Sequence, residues 1–186
     1  MVDLTPFKGR NDISLYLRPV NGKRVALTVS KYAGKDIYEL WDKSCMEYGT
    51  VMDSSDYEKE RNIDIVEKTR GDVFIAGFGI GLIVLPIINK EEVISVDIME
   101  SQQEVIDLIA SQLPLNKKVN LIKGNYFDYE PEKKYDTIYL DTVPEEMCTK
   151  EDKTARCRGD GYYMRDRDMV PVFSKYLKKG GIIRTF

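Results

Sequence analysis

Histidine is absent from this sequence of 186 residues. Its absence excludes hydrolysis by a Ser-His-Asp triad and every other mechanism that uses a histidine side chain as general base, and it removes a common zinc ligand. The three cysteines, Cys45, Cys148 and Cys157, form neither a close pair nor a CxxC motif. Because scattered thiols make a poor disulfide framework and a poor zinc site, we predict no bound metal.

Long apolar runs and an excess of basic residues are also missing. The longest apolar stretch, 80–88, is interrupted by Gly81 and Pro86 and is far shorter than the roughly 20 residues of a membrane helix. The N-terminus lacks the basic flank and apolar run of a signal peptide. The 28 basic residues are outnumbered by 31 acidic ones, whereas nucleic-acid binders need a basic surface. We expect a cytoplasmic protein without membrane or nucleic-acid partners.

The first 55 residues predict a small antiparallel β appendage. Asn21-Gly22 lies between two apolar runs, 15–17 and 25–29, and this pattern is typical of a hairpin. Ser55 and Glu58 have the spacing of a capping box, which predicts the start of a helix. Further strands are predicted at 37–41 and 48–52. We therefore divide the chain into an appendage, 1–55, and a larger domain, 56–186.

From residue 72 onward, short apolar runs alternate with helical patterns. The predicted strands are 73–76, 93–96, 119–122, 136–140 and 182–186, and the predicted helices are 82–88, 101–113 and 170–177. This alternation favours a parallel sheet with helices on both faces. The predicted fold is therefore α/β, a doubly wound, Rossmann-like and mostly parallel sheet preceded by the antiparallel appendage.

A glycine-rich turn, residues 77–81, directly follows the first strand of that sheet. Its glycines would let a ligand approach the backbone closely, although a tight turn without a ligand is an alternative. Leu82 stands where the dinucleotide fingerprint requires glycine, which weakens an NAD-binding interpretation. Asp97 follows Gly77 by 20 residues, at the predicted end of the second strand. There it would accept the hydroxyls of a ribose, unless it is a helix cap or a solvated loop acid.

Five segments, in order, resemble the motifs of class I S-adenosylmethionine-dependent methyltransferases. They are 73–81, 96–98, 123–126, 135–141 and 177–181, and the resemblance covers about residues 71–186. It implies that Gly77, Gly79 and Gly81 pass under the methionine part of S-adenosylmethionine. It also implies that Asp97 holds the ribose and that Ile98 packs on the adenine.

The same resemblance implies roles for four further residues. Phe78 would lean over the cofactor or pack on the neighbouring helix. Asn125 and Tyr126 stand where the family often has an acid and its neighbour beside the adenine amine. Asp141 would touch the cofactor beside the transferred group and act as the catalytic residue, orienting the nucleophile and accepting its proton.

Two further departures from the family pattern bear on the choice between candidate functions. Ile75 stands where the family often has an acid, and the final reversed pair of strands does not follow 182–186. We expect methyl transfer from S-adenosylmethionine to an unidentified acceptor, either a macromolecule or, as we favour, a small molecule. The sequence also resembles spermidine synthase-like aminopropyltransferases, which use decarboxylated S-adenosylmethionine, carry an N-terminal β appendage and often lack the acid at Ile75. A third alternative is a non-catalytic nucleoside-cofactor module whose free sheet edge pairs with another chain, in the simplest case a homo-oligomer.

The segment 145–168 is rich in charges of both signs. It connects the fourth predicted strand to the next helix, where loops at the edge of a scaffold commonly carry function. It is therefore either part of the substrate site or a solvated loop.

Overall fold

The computed structural model describes residues 2–43, 52–142 and 166–185. The strands are β1 (Val20–Asn21), β2 (Val25–Tyr32), β3 (Lys35–Asp42), β4 (Met52–Asp53), β5 (Gly71–Ala76), β6 (Val93–Glu100), β7 (Val119–Lys123), β8 (Tyr135–Leu140) and β9 (Leu177–Thr185). The α-helices are α1 (Asp56–Lys68), α2 (Val84–Ile88), α3 (Gln103–Ile109) and α4 (Asp166–Phe173). Short 3₁₀ turns lie between several of these elements.

Strands β1 to β4 form an antiparallel sheet in chain order. The predicted hairpin at Asn21-Gly22 is confirmed, because β1 pairs with β2 on either side of it. The predicted strand at 15–17 is wrong: the chain forms a 3₁₀ turn over Ile13–Leu15, which the Asp12 carboxylate caps at the Ser14 N–H. The predicted strand at 48–52 falls largely outside the described residues, and only its last residue is seen, in β4.

Strands β5 to β9 form a parallel sheet in the order β7-β6-β5-β8-β9, which confirms the predicted fold class. The central strand β5 is buried over 73–76, as its unbroken apolar run predicts. The chain leaves β5 toward β6 and β7 on one side and later returns to β8 and β9 on the other. This reversal beside β5 opens a crevice at the carboxyl ends of the strands.

Helix α1 connects the two sheets. The Ser55 hydroxyl accepts the N–H of Glu58 at 3.3 Å, so the predicted helix start is confirmed. The helix ends at Lys68, and Thr69 donates its N–H to the Ile65 carbonyl.

The two sheets share a hydrophobic core. Leu27 and Leu40 from the antiparallel sheet belong to the same buried cluster as Ile75 and Val96 from the parallel sheet. A second cluster covers the other face of the parallel sheet and contains Phe74, Ala76, Met99, Tyr126, Tyr135, Ile138, Leu140, Met169 and Phe173. The antiparallel sheet is therefore packed onto one face of the larger domain, beside the carboxyl ends of its strands.

Candidate functional site

The carboxyl edge of the parallel sheet, meaning the residues that follow β5, β6, β7 and β8, gathers most of the predicted motifs. The glycine turn (77–81) follows β5, Asn125 follows β7 and Asp141 follows β8. Ligands of open α/β sheets bind at this edge, next to the strand where the order reverses. The edge beside β5 is therefore the candidate site.

The glycine turn depends on three residues in the left-handed region of φ. Gly77, Gly79 and Gly81 have φ values of 90°, 52° and 74°, which side chains with a Cβ rarely adopt. The Gly77 N–H donates to the Met99 carbonyl at 2.8 Å, and the Gly81 N–H donates to the Phe78 carbonyl at 2.8 Å. The first hydrogen bond joins the turn to the end of β6, and the second closes the turn itself.

Space around the turn also restricts all three glycines. A Cβ on Gly77 would overlap the backbone carbonyl oxygen of Asp141, and a Cβ on Gly81 would lie 2.5 Å from the Leu113 side chain. A Cβ on Gly79 would instead lie 2.5 Å from Sδ of Met52, in β4. At Gly79 the space beside the backbone is thus filled by the end of a flexible side chain, whereas at Gly77 it is filled by backbone.

Glu100, which the sequence analysis did not single out, is the acid at the end of β6. Its Oε2 accepts the N–H of Phe78 at 3.0 Å, and its Oε1 accepts the N–H of Gln102 at 2.7 Å. The residue is only 8% exposed, so these hydrogen bonds offset the free-energy cost of burying its carboxylate. Glu100 therefore joins the glycine turn to the chain that enters α3.

The prediction that Asp97 ends the second strand is wrong. Strand β6 continues for three more residues, and because side chains alternate along a strand, Asp97 and Glu100 lie on opposite faces. Asp97 accepts hydrogen bonds from the Tyr135 hydroxyl at 2.9 Å and the Asn120 amide at 3.0 Å, and it pairs with Lys133 at 2.9 Å. These partners place it inside the sheet network rather than at the carboxyl edge.

The charge of Asp97 is stabilised by the same partners. Burial by itself raises the pKa of Asp97, but the hydrogen bonds from Lys133, Asn120 and Tyr135 together outweigh it and hold that pKa below its ordinary value. Burial, and then the hydrogen bond to Asp97, raise the pKa of Tyr135. Asp97 is therefore an ionised acid that already binds three neighbouring donors.

Three other residues predicted to contact the cofactor have buried side chains. Ile98 is 0% exposed and packs within the hydrophobic core. The Phe78 ring is buried and lies against Gly81, so this residue packs inside the molecule rather than leaning over the cleft. The Tyr126 ring is buried between Phe127 and Phe173.

Asn125 and Asp141 lie at the edge as predicted. The Asn125 side chain accepts the Phe127 N–H at 3.1 Å, which starts a 3₁₀ turn directly after β7. Asp141 follows β8, and its N–H donates to the Ala76 carbonyl at 3.0 Å. The backbone of Asp141 is therefore fixed beside the first glycine of the turn.

A buried tyrosine links Asp141 to α1. The Tyr139 hydroxyl donates to Oδ1 of Asn62 at 2.7 Å, and the Asn62 amide donates to the Glu58 carbonyl at 2.8 Å. Burial, followed by the charge of Asp141 and a hydrogen bond to it, raises the pKa of Tyr139. The Tyr139 hydroxyl therefore stays protonated beside Asp141.

A signal for Glu100 was present in the sequence. Ile98 and Met99 continue the apolar run beyond Asp97, and Glu100 is the first charged residue after them. A buried strand is expected to extend to the end of such a run. The sequence analysis chose Asp97 because it follows the glycine turn by about 20 residues. That spacing does not show where the strand ends, and so Glu100 was missed.

No family model and no curated protein matches this chain. Solved structures do match. A structure from Streptococcus mutans, described as a candidate S-adenosylmethionine-dependent methyltransferase, has a TM-score of 0.53 at 10% identity and aligns with 91% of this chain and 43% of its own. N-methyltransferase NodS from Bradyrhizobium japonicum has a TM-score of 0.51 at 10% identity, covering 69% of this chain and 67% of its own.

These similarities establish the fold. The chain shares with these structures a Rossmann-like parallel sheet, and a small antiparallel sheet precedes it. The chain spans about half the length of several matched structures, 46% and 48% for two complexes of DhpI.

Three remaining expectations concern the rest of the molecule. Across the described residues, no helix combines the length and apolar character needed to cross a membrane. In the same ranges, no cluster of three or more cysteine, aspartate or glutamate side chains is arranged to bind a metal ion. The charged segment 145–168 lies outside the described residues except for the first turn of α4.

Proposed function

We propose that this protein binds S-adenosylmethionine at the carboxyl edge of its parallel sheet and transfers the methyl group to a small molecule. The observation that carries the proposal is the pairing of the glycine turn with Glu100. The Glu100 carboxylate lies 3.0 Å from the Phe78 N–H, so a carboxylate and a side-chain-free backbone adjoin at the ends of neighbouring strands. An adenosine that carries an amino-acid tail needs both features.

The residues at the edge suit different parts of this ligand. Glu100 would accept the ribose hydroxyls, the role first assigned to Asp97, because a carboxylate oxygen accepts more than one hydrogen bond. Asn125 would face the adenine, since its amide both donates and accepts. The glycine turn would lie against the amino-acid tail, where Gly79 faces a side chain rather than backbone.

The chemistry requires little from the protein besides position. S-adenosylmethionine supplies a methyl group already activated by a positive sulfur, so an in-line attack needs an oriented nucleophile and exclusion of water. Asp141 stands at the end of β8 beside the glycine turn, held through its backbone N–H. It would orient the nucleophile and accept the proton that the nucleophile loses. No histidine is needed for this reaction.

Aminopropyl transfer is the second candidate. Two observations favour it. An antiparallel sheet precedes the glycine turn, and the buried, apolar Ile75 stands at the position where an acid is common. Both candidates use an adenosyl sulfonium compound at the same edge, and they differ in whether that compound carries a carboxylate. Comparing the affinities of the two compounds therefore separates them.

The first test is calorimetric titration of the full chain with S-adenosylmethionine, its demethylated product S-adenosylhomocysteine, decarboxylated S-adenosylmethionine and NAD. Glu100→Gln is expected to weaken S-adenosylhomocysteine binding about thirtyfold, since a hydrogen bond to a charged group contributes about 2 kcal/mol. Asp97→Asn is the matched control, an acid of the same strand on the opposite face, and is expected to change the affinity less than threefold.

Thermal unfolding of both variants shows that each is folded before it is titrated. Preference for the decarboxylated compound would select aminopropyl transfer. Absence of binding to every adenosyl compound by the folded wild-type protein would overturn the proposal. Equal affinity of wild type and Glu100→Gln would remove Glu100 from the site.

A further inference from the structure

Met52 occupies the position over the glycine turn that the proposed function assigns to the amino-acid tail of the cofactor. Its Sδ lies 3.5 Å from the backbone N of Ile80, which donates a hydrogen bond to it. A Cβ built on Gly79 would be 2.5 Å from that sulfur and 3.2 Å from the methyl carbon. The thioether therefore fills the space that the missing Cβ leaves open.

The contact between Ile80 and Met52 is a weak one by its chemistry. A thioether sulfur is a poor hydrogen-bond acceptor, whereas a carboxylate oxygen is a strong one. The Ile80 N–H is thus satisfied only in part by Met52. A ligand carboxylate at the same place would make the stronger hydrogen bond and would compete with the sulfur.

The backbone of β4 is anchored on the side of Met52 that leads to α1. The Ser54 hydroxyl accepts the Tyr38 N–H at 2.8 Å, and the Ser54 N–H donates to the Tyr38 carbonyl at 2.9 Å. Asp53 in turn accepts the Ser55 N–H at 2.7 Å. These hydrogen bonds hold the strand in place, so the movable part is the side chain, which has three rotatable bonds.

We propose that Met52 is a self-blocking residue of the site: without ligand its thioether caps the Ile80 N–H, and it must rotate away for the cofactor to bind. This inference rests on the proposed function and adds to it a residue that sets the affinity. Because only the unblocked fraction of the protein binds, the apparent dissociation constant equals the intrinsic one divided by that fraction. Shortening the side chain removes the competition.

The experiment is titration of S-adenosylhomocysteine into wild type, Met52→Ala, Met52→Leu and Val29→Ala. Met52→Ala is expected to bind about tenfold more tightly than wild type, as when about nine molecules in ten are blocked. Met52→Leu keeps a similar side-chain volume and is expected to stay within about threefold of wild type. Val29→Ala changes an exposed side chain of the same antiparallel sheet and is expected to have no effect.

A second measurement follows the side chain itself. With ¹³C-methyl methionine, the Met52 signal is identified by its loss in Met52→Leu, and it is expected to shift as S-adenosylhomocysteine is added. Met169, buried in α4 within the second cluster, is the internal reference and should not shift. A Met52 signal unmoved at saturation would overturn the inference.

The affinities distinguish failure of the inference from failure of the function. If wild type binds and folded Met52→Ala binds equally or more weakly, Met52 does not block the site, while the proposed function stands. If none of the four folded proteins binds S-adenosylhomocysteine, the proposed function fails and the inference fails with it.

Discussion

At the scale of single residues, the three glycines of the turn are required for different reasons. All have positive φ, but only Gly77 also faces fixed backbone, the Asp141 carbonyl. Gly79 faces the Met52 thioether, which can move. Gly180, in β9, has a φ of 78° with nothing within 4 Å of a Cβ, so it measures the cost of the backbone conformation alone.

We therefore expect a graded series of stabilities for alanine at these positions. Gly180→Ala should lower the free energy of unfolding by about 1 kcal/mol, the cost of a left-handed conformation. Gly79→Ala should cost about 1–2 kcal/mol, because the Met52 side chain gives way. Gly77→Ala should cost about 3 kcal/mol or more, because strain adds to a backbone overlap.

Urea unfolding followed by circular dichroism measures the series. A cost at Gly77 no greater than that at Gly180 would show that the Asp141 carbonyl is not packed against the turn. Gly79→Ala should in addition weaken S-adenosylhomocysteine binding while the protein remains folded, which separates its effect on the site from its effect on stability.

At the scale of elements, one carboxylate fastens the first hairpin to the parallel-sheet domain. Glu104, in the first turn of α3, accepts the backbone N–H groups of Lys23, Arg24 and Val25 at 2.5, 2.7 and 2.8 Å. The hydrogen bond from Val25, with those from Arg24 and Lys23, lowers the pKa of Glu104 against the opposing effect of desolvation. The turn between β1 and β2 is thus held by a side chain some 80 residues away in sequence.

This attachment is expected to depend on pH. Because the folded-state pKa of Glu104 lies below the ordinary value of 4.5, its contribution to stability is present above that value and is lost as pH falls through the lower pKa. Glu104→Gln should therefore be less stable than wild type near neutral pH, and the difference should shrink as the pH falls to about 3.

Urea unfolding of both proteins across this pH range measures the effect. Asp107→Asn, which alters an exposed carboxylate of the same helix, is the control for removing one negative charge from α3. A difference between wild type and Glu104→Gln that does not shrink toward low pH would contradict this account.

The sequence predicted the types of the elements better than it predicted where they end. The apolar runs located β5 to β9, and the capping pattern located the start of α1. The end of β6 was misplaced because a polar residue inside a strand usually signals its end, whereas Asp97 is accommodated by Tyr135, Asn120 and Lys133. Those partners come from β7, the start of β8 and the loop between them, and no local pattern announces them.

At the scale of the whole molecule, the two sheets form one packed unit. Both contribute to a single hydrophobic cluster, and the N-terminal segment adds Phe7, Ile13 and Leu17 to it. Burial of this shared apolar surface links the stability of each sheet to that of the other. The domain boundary between residues 55 and 56 remains a prediction. It can be tested by asking whether the two sheets unfold together or separately.

Trp41 makes that test direct. It is the only tryptophan of the chain and lies in β3, where its ring N–H donates to the Thr28 hydroxyl at 3.0 Å. Tryptophan fluorescence therefore reports on the antiparallel sheet, while far-ultraviolet circular dichroism reports on the whole chain. We expect the two urea transitions to coincide, as in two-state unfolding. A fluorescence transition at a lower urea concentration would show that the antiparallel sheet unfolds independently.

The sequence by itself determined the class of fold and the position of the glycine turn, because apolar periodicity and glycine spacing depend on residues close together in the chain. It also placed Asn125 and Asp141 just after predicted strands. Only the tertiary structure decided which acid of β6 contacts the glycine turn and which side chain lies against Gly79. Glu100 and Met52 reach the turn from β6 and from the antiparallel sheet, and packing between separate parts of the chain brings them together.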